Sequence, residues 1–151
     1  MAARIRVFLD TSALFAAILS ATGGSRMVLK LGEAEAVTVL VSPQVLAEAE
    51  NVLKRKAPQA VGLLALLLDR SRVEVTPSPA PENVEKSEIL THHPGDAQVL
   101  AAVWQSQADY LVTLERQHFL DNPLVAQSVP FPVGTPGDFL AWYRGQFIES
   151  S

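Results

Sequence analysis

The chain contains no cysteine, which excludes disulfide bonds and thiolate metal sites but leaves its compartment open. It has no apolar run approaching the ~18 residues of a membrane span. The leucine-rich stretch from Val61 to Leu68 is too short and stops at Asp69. Basic residues are not in excess: 12 Lys and Arg stand against 16 Asp and Glu, a formal net charge of −4. That balance argues against a protein that holds nucleic acid by charge alone. It does not exclude an enzyme acting on nucleic acid, because a bound metal would neutralise part of the acidity. Internal repeats, low-complexity tracts and shifts of composition are also missing. Residues 1–151, 48% hydrophobic and 19% charged, are therefore expected to form one globular domain with a substantial core.

The N-terminus imitates a secretion signal, with Arg4 and Arg6 ahead of an apolar run from Val7 to Ala21. Asp10, Thr11 and Ser12 interrupt that run, and cleavage would delete what reads as the first strand. A soluble cytoplasmic protein is the expectation.

What is present is an alternation of strand and helix signals. Ile5 to Leu9 is a short apolar run with Asp10 directly behind it. Ser12 is placed to cap a helix through Leu19, Gly23-Gly24 breaks it, and a second helix is expected from Ser25 to about Leu31. Val37 to Val41 reads as the next strand, and Ser42-Pro43 as a helix start, a capping hydroxyl followed by proline at the first helical position. That helix runs to about Lys56, another runs from Pro58 through Leu68, and Arg72 to Val75 is a short strand. A helix over Glu82 to Leu90 leads through Thr91-His92-His93-Pro94-Gly95 into one opened by Asp96, whose apolar stripe is Ala97, Leu100, Ala101 and Trp104. Tyr110 to Thr113 is the clearest buried strand. A last strand is expected within Leu124 to Val133, and a last helix after Thr135-Pro136. The implied fold class is α/β, a three-layer α/β/α sandwich around a central, mostly parallel sheet.

Four acids stand out against this pattern: Asp10, Glu48, Asp96 and Glu115. Gathered carboxylates repel one another, and a chain that collects them usually holds a hard divalent cation such as Mg²⁺ or Mn²⁺. In open parallel sheets, sites form beyond the carboxyl ends of the strands. Asp10 follows the first strand, Glu115 lies two residues past Thr113, and Asp96 sits at a helix start whose dipole favours a carboxylate. Asp109 begins the strand that ends at Thr113; at ~3.3 Å per residue it belongs on the opposite edge, as a structural or capping residue. On the helix after Pro43, Glu48 and Glu50 flank opposite borders of the arc Val45, Leu46, Ala49, Val52 and Leu53, and the helical wheel does not choose between them. Taken singly, each acid reads as a helix cap or a solvated charge. His92 and His93 do not suggest a zinc site, since adjacent side chains diverge and no further ligand has suitable spacing. His118 reads as structural. An aspartyl-phosphate enzyme would want a second Asp two residues past Asp10, where Ser12 stands.

Five segments, taken in order, resemble the PIN-domain nucleases: VFLDTSAL around Asp10, SPQVLAEAENVL with its acid at Glu48 rather than Glu50, PGDAQVLAAV carrying Asp96, ADYLVTLERQHFL with Glu115 at the last acidic position, and GTPGDFLAWY near the end. The resemblance covers about Ile5 to Leu140. It implies a PIN-like fold and an endonuclease of single-stranded or structured RNA, dependent on Mg²⁺ or Mn²⁺ and leaving a 5′-phosphate. On that reading Asp10, Asp96 and Glu115 hold the metal, and Glu48 orients the attacking water or completes a second metal site. Ser12 and Thr113 orient the carboxylates by hydrogen bonds. Lys54, Arg55 and Arg116 would contact RNA phosphates, with Arg26, Lys30 and Lys56 as further cations. A homodimer is implied, and the toxin half of a toxin–antitoxin pair, with a small antitoxin partner, is as compatible as a stand-alone processing enzyme.

Two positions depart from the family pattern. Glu115 replaces the more usual Asp, and His93 stands where many relatives carry an additional Asp. They sustain a second reading, a PIN fold that has lost activity and serves as an RNA-binding or protein-interaction module. Uptake of Mn²⁺ separates the two.

Overall fold

Ile5–Leu9 and Val37–Val41 carry almost nothing that could face water, so each needs cover on both sides of its strand. The computed structural model, which describes residues 4–149, supplies it with a five-stranded parallel sheet between two layers of helices. Both ends of the expected 1–151 domain, residues 1–3 and 150–151, lie outside the described residues. The strands are β1 (Ile5–Leu9), β2 (Val37–Val41), β3 (Glu74–Val75), β4 (Tyr110–Val112) and β5 (Val133–Gly134), in the order β3-β2-β1-β4-β5. The chain first winds outward from β1 through β2 to β3, then returns to β1's other side with β4. Neighbouring strands therefore diverge in their connections between β1 and β4, and a crevice opens at their carboxyl ends. Val7 pairs with Tyr110 and Leu9 with Val112, which brings Asp10 and Thr113 to that crevice together.

The helices are α1 (Thr11–Leu19), α2 (Gly24–Glu33), α3 (Pro43–Lys56), α4 (Val61–Arg70), α5 (Pro81–Thr91), α6 (Pro94–Gln105), α7 (Pro123–Ser128) and α8 (Pro136–Glu149). On α3 the buried positions are Val45, Ala49 and Leu53, at a spacing of four, and they dock the helix on the sheet. Val7, Phe8 and Leu9 are fully buried with Leu14, Leu40, Leu100 and Leu111 around them. Truncating Phe8 to alanine there costs about 3–5 kcal/mol. No single helix among the described residues is long and apolar enough to cross a membrane.

Local differences from the sequence expectation have physical causes. Asp10, not Ser12, caps α1: its backbone is still extended and its carboxylate accepts the Ala13 N–H. Asp96 does not open α6; His93 caps it and Pro94 takes the first helical position. The first half of the span expected to hold the last strand is instead helix: the Asn122 side chain accepts from Leu124 and Val125 N–H, Pro123 starts α7, and the strand is only Val133–Gly134. Pro58–Ala60 is a 3₁₀ turn ahead of α4.

Candidate active site

Asp10 is the most enclosed of the four acids, 4% exposed. Oδ1 accepts from the Ser12 hydroxyl at 2.7 Å and the Ala13 N–H at 2.9 Å, while Oδ2 accepts from the Thr113 hydroxyl. Each hydroxyl is itself held by the backbone after β4: Leu114 N–H donates to Ser12 Oγ and Glu115 N–H to Thr113 Oγ1, both at 3.0 Å. Every polar atom in this network has a partner, so the carboxylate is fixed in orientation across two strands. Burial raises its pKa from the ordinary Asp value; the three hydrogen bonds oppose that rise, and the Asp96 charge adds to it.

Asp96 stands in the first turn of α6. Its pKa is also raised, by burial first and then by Glu115 and Glu48, with His93 and His118 pulling the other way. Glu115 caps the single π-type turn Arg116–Leu120, its Oε2 accepting from His118 N–H at 2.7 Å and Phe119 N–H at 3.2 Å. Glu48 is held by Thr11, whose hydroxyl donates to Oε2 at 2.9 Å, and by Gln44, whose amide donates to Oε1 at 2.7 Å and reaches the Gly95 carbonyl at 3.3 Å. Gln44 thereby ties the start of α3 to the start of α6.

All four acids line one pocket of about 320 Å³, together with Thr11, Ser12, Phe15, Val52, Lys56, His93, Gly95, Val99 and Phe119. Glu50 is not among them; it pairs with Lys54 at 3.0 Å on the outer face of α3. Asp109 lies at the opposite edge, where it accepts the Arg6 N–H at 2.7 Å. Of the cations singled out in the sequence, Lys56 lines the pocket. Arg116 is exposed and paired with Asp121 at 3.1 Å, and Arg26 donates to the Ala17 and Ile18 carbonyls at the end of α1. Arg55 is exposed beside Lys56.

Histidines carry more of this site than sequence reasoning assigned. Ligand atoms of Asp96, Glu115 and His118 all lie within 4.8 Å of one another, a spacing compatible with coordination of a single cation. The His118 Nδ1 faces the Thr91 carbonyl at 3.1 Å. A carbonyl only accepts, so Nδ1 carries a proton, and Nε2 is the ring nitrogen that faces Asp96, 3.9 Å away. His93 uses Nδ1 to accept the Asp96 N–H at 3.1 Å, and its ring lies 4.9 Å from that of His118. The one sequence signal for His118 was its position three residues past Glu115, the spacing at which a capping carboxylate meets a backbone N–H.

The strand order and the placement of acids just past β1 and β4 define a doubly wound α/β protein with an acidic pocket at its topological switch point. The family model described as the PIN domain matches residues 6–117, and the chain belongs to the PIN-domain family. None of the curated proteins matches it. Among solved structures it is similar to VapBC2 from Rickettsia felis, bound to a DNA fragment from its promoter, at 18% identity and a TM-score of 0.66, over 86% of this chain and 98% of that one. VapC20 from Mycobacterium tuberculosis, a sarcin–ricin loop cleaving toxin, is similar at 20% identity and a TM-score of 0.54, over 82% and 95% of the two chains. FitAcB from Neisseria gonorrhoeae is similar at 16% identity and 0.56, over 86% and 97%.

Proposed function

We propose that this chain is a metal-dependent endoribonuclease that hydrolyses a phosphodiester bond of single-stranded RNA, formed by one domain over the whole chain. The observation that carries the reading is the convergence of Asp10, Glu48, Asp96 and Glu115, drawn from four separate segments, on one pocket. The donor set fits a divalent cation: two carboxylates and an imidazole nitrogen lie within 4.8 Å of one another, and Glu115 Oε1 accepts no hydrogen bond among the described residues. Asp96 and Glu115 would hold the Mg²⁺ or Mn²⁺ with Asp10, and with His118 beside them. When bound, the metal polarises the phosphoryl oxygen and lowers the pKa of water at the site.

The chain's own residues supply the rest. Ser12 and Thr113 keep Asp10 from rotating. Glu48, steadied by Thr11 and Gln44, is the base that aligns the attacking water and takes its proton. His118 Nε2, 3.9 Å from the Asp96 carboxylate, completes the donor set. Lys54, Arg55 and Arg116, outside the pocket lining, draw the RNA backbone toward the acids by long-range attraction.

The similarity to VapC20, a sarcin–ricin loop cleaving toxin, and to VapBC2, bound to a DNA fragment from its promoter, supports a narrower reading as the toxin of a toxin–antitoxin pair, with a small antitoxin as partner; the cytoplasm as its place of action is part of the same proposal. A homodimer is part of the proposal. The test is cleavage of a fluorescent single-stranded RNA with Mn²⁺, Mg²⁺ or chelator, beside Asp96→Asn. Cleavage that needs metal and disappears in the variant is expected. Absence of cleavage with both metals, together with no Mn²⁺ binding by calorimetry, would replace the enzyme by an interaction module.

A further inference from the structure

The pocket changes character along its length. On α3, Glu48, Val52 and Lys56 recur every four residues, so they form one stripe, and all three line the pocket. The other two helices repeat the order: Thr11 is followed one turn later by Phe15 on α1, and Asp96 by Val99 on α6. Acids therefore occupy one end of these stripes, an apolar wall of Phe15, Val52 and Val99 follows, and Lys56 comes last. At 1.5 Å per residue, the backbones of Glu48 and Lys56 are about 12 Å apart along α3, so the lysine stands two turns beyond the acid.

Metal-bound acids need no apolar wall, and a solvated lysine needs no pocket. Lys54 is held by Glu50 and Arg116 by Asp121, whereas Lys56 has no ion-pair partner among the described residues. A basic residue in the last turn of α3 does complement the helix dipole. That accounts for the charge, but not for its position over Val52 or for the partly exposed Phe15 ring across from it. A flat apolar face followed by an ammonium is what a nucleotide offers contacts for: base on the aromatic ring, phosphate on the lysine.

We propose that Phe15, Val52, Val99 and Lys56 form a nucleotide subsite beside the cleavage centre, where a base next to the scissile bond stacks on Phe15 and the following phosphate meets Lys56. It rests on the ribonuclease reading above and deepens it. A base inside a duplex has both faces covered by its neighbours, so the subsite selects unstacked, single-stranded RNA at this position.

The test uses the full chain carrying Asp96→Asn, which binds without cutting, and short fluorescent single-stranded RNAs read by anisotropy in Mg²⁺. One RNA is intact; the others carry a single abasic nucleotide at each position in turn. Phe15→Ala is expected to weaken binding of the intact RNA about tenfold. One abasic RNA should lose a similar amount, and the two losses should not add, because they delete two halves of one contact. Phe15→Leu, which keeps the packing but removes the aromatic face, should behave as Phe15→Ala does. Lys56→Ala should lower the slope of log affinity against log salt by about 0.7, and Lys56→Arg should restore it. Unchanged affinity in both Phe15 variants, full additivity with every abasic RNA, or an unchanged salt slope would overturn the subsite and leave the wall to a protein segment. Metal-dependent cleavage by the unsubstituted chain, measured alongside, reports on the nuclease assignment separately. Cleavage with indifferent variants defeats the subsite alone, whereas the absence of both cleavage and any RNA binding defeats both.

Discussion

Replacing Asp96 by Asn should make the metal-free protein more stable and the metal-loaded protein less so. Ligand atoms of Asp96 and Glu115 lie within 4.8 Å of each other. At an effective dielectric constant of about 20 their repulsion is at least about 3.5 kcal/mol before salt screening. Solvent, salt and the two nearby histidines reduce the net penalty to the order of 1.5 kcal/mol. Against this, the variant loses the interaction of the charge with the start of α6, about 0.5 kcal/mol. Repulsion wins by about 1 kcal/mol, which for a domain of this size raises the melting temperature by about 2–4 °C in chelator. With free Mn²⁺ at a hundredfold excess over Kd the unsubstituted protein gains about 2.7 kcal/mol, and the variant loses most of that gain, so the order reverses. The pH sign is fixed by the raised pKa of Asp96. Between the unfolded value near 3.8 and the raised folded value, the folded chain holds more protons than the unfolded one, so stability of the metal-free protein falls as pH rises through that window. The advantage of Asp96→Asn should vanish below that window and be complete above it. Melting curves in chelator and in Mn²⁺ over a pH series read all of this. A variant less stable in chelator, or one that keeps the full Mn²⁺ shift, would refute both the repulsion and the metal site.

Other substitutions probe the supports. Thr113→Val keeps shape but removes the hydroxyl between Asp10 and the Glu115 N–H, so melting should show a loss of about 1–3 kcal/mol and RNA cleavage should fall at least tenfold; full activity would mean that Asp10 needs no orienting. His92 ends α5 in a left-handed conformation, φ 54°, so His92→Gly should gain about 0.5–1 kcal/mol by denaturant melting with its Mn²⁺ response unaltered, and a lost response would make His92 part of the metal site. Arg116→Ala breaks an exposed pair with Asp121 worth about 0–1 kcal/mol, so stability should hardly move. RNA affinity should fall alike for all sequences, with a salt slope smaller by about 0.7; a sequence-dependent loss would place Arg116 against a base instead.

Much of the architecture was legible because the strands are apolar on both faces and the helix starts carry strong punctuation. Ser42-Pro43 marked α3 as expected, and the parallel α/β alternation followed from the spacing of Ile5–Leu9, Val37–Val41 and Tyr110–Val112. Caps were less legible where a charged or aromatic group did the capping. Asp10 was read for its position behind a strand, and its hydrogen bond to Ala13 N–H was hidden by Ser12, a commoner capping residue two positions on. His93 was similarly eclipsed by Asp96. The choice between Glu48 and Glu50 was beyond a helical wheel, because both flank the buried arc and only the packing of α3 beside α1 and α6 turns Glu48 toward the pocket. Spacing placed His118 one turn past Glu115 but could not show where its ring points, since that ring faces the Thr91 carbonyl, 27 residues away in the chain.

The sheet order has a consequence for the chain while it is still being made. Asp10 and Glu48 leave the ribosome early, but the hydroxyl that orients Asp10 belongs to Thr113, 103 residues later, and Glu115 follows it. Those residues reach the pocket only when β4 pairs with β1, the longest-range strand pairing in the sheet. Until then the acids are scattered on separate segments, and a half-synthesised polypeptide has no assembled cleavage centre. If the protein cuts RNA as proposed, the topology withholds the assembled centre until β4 has been made and has paired with β1.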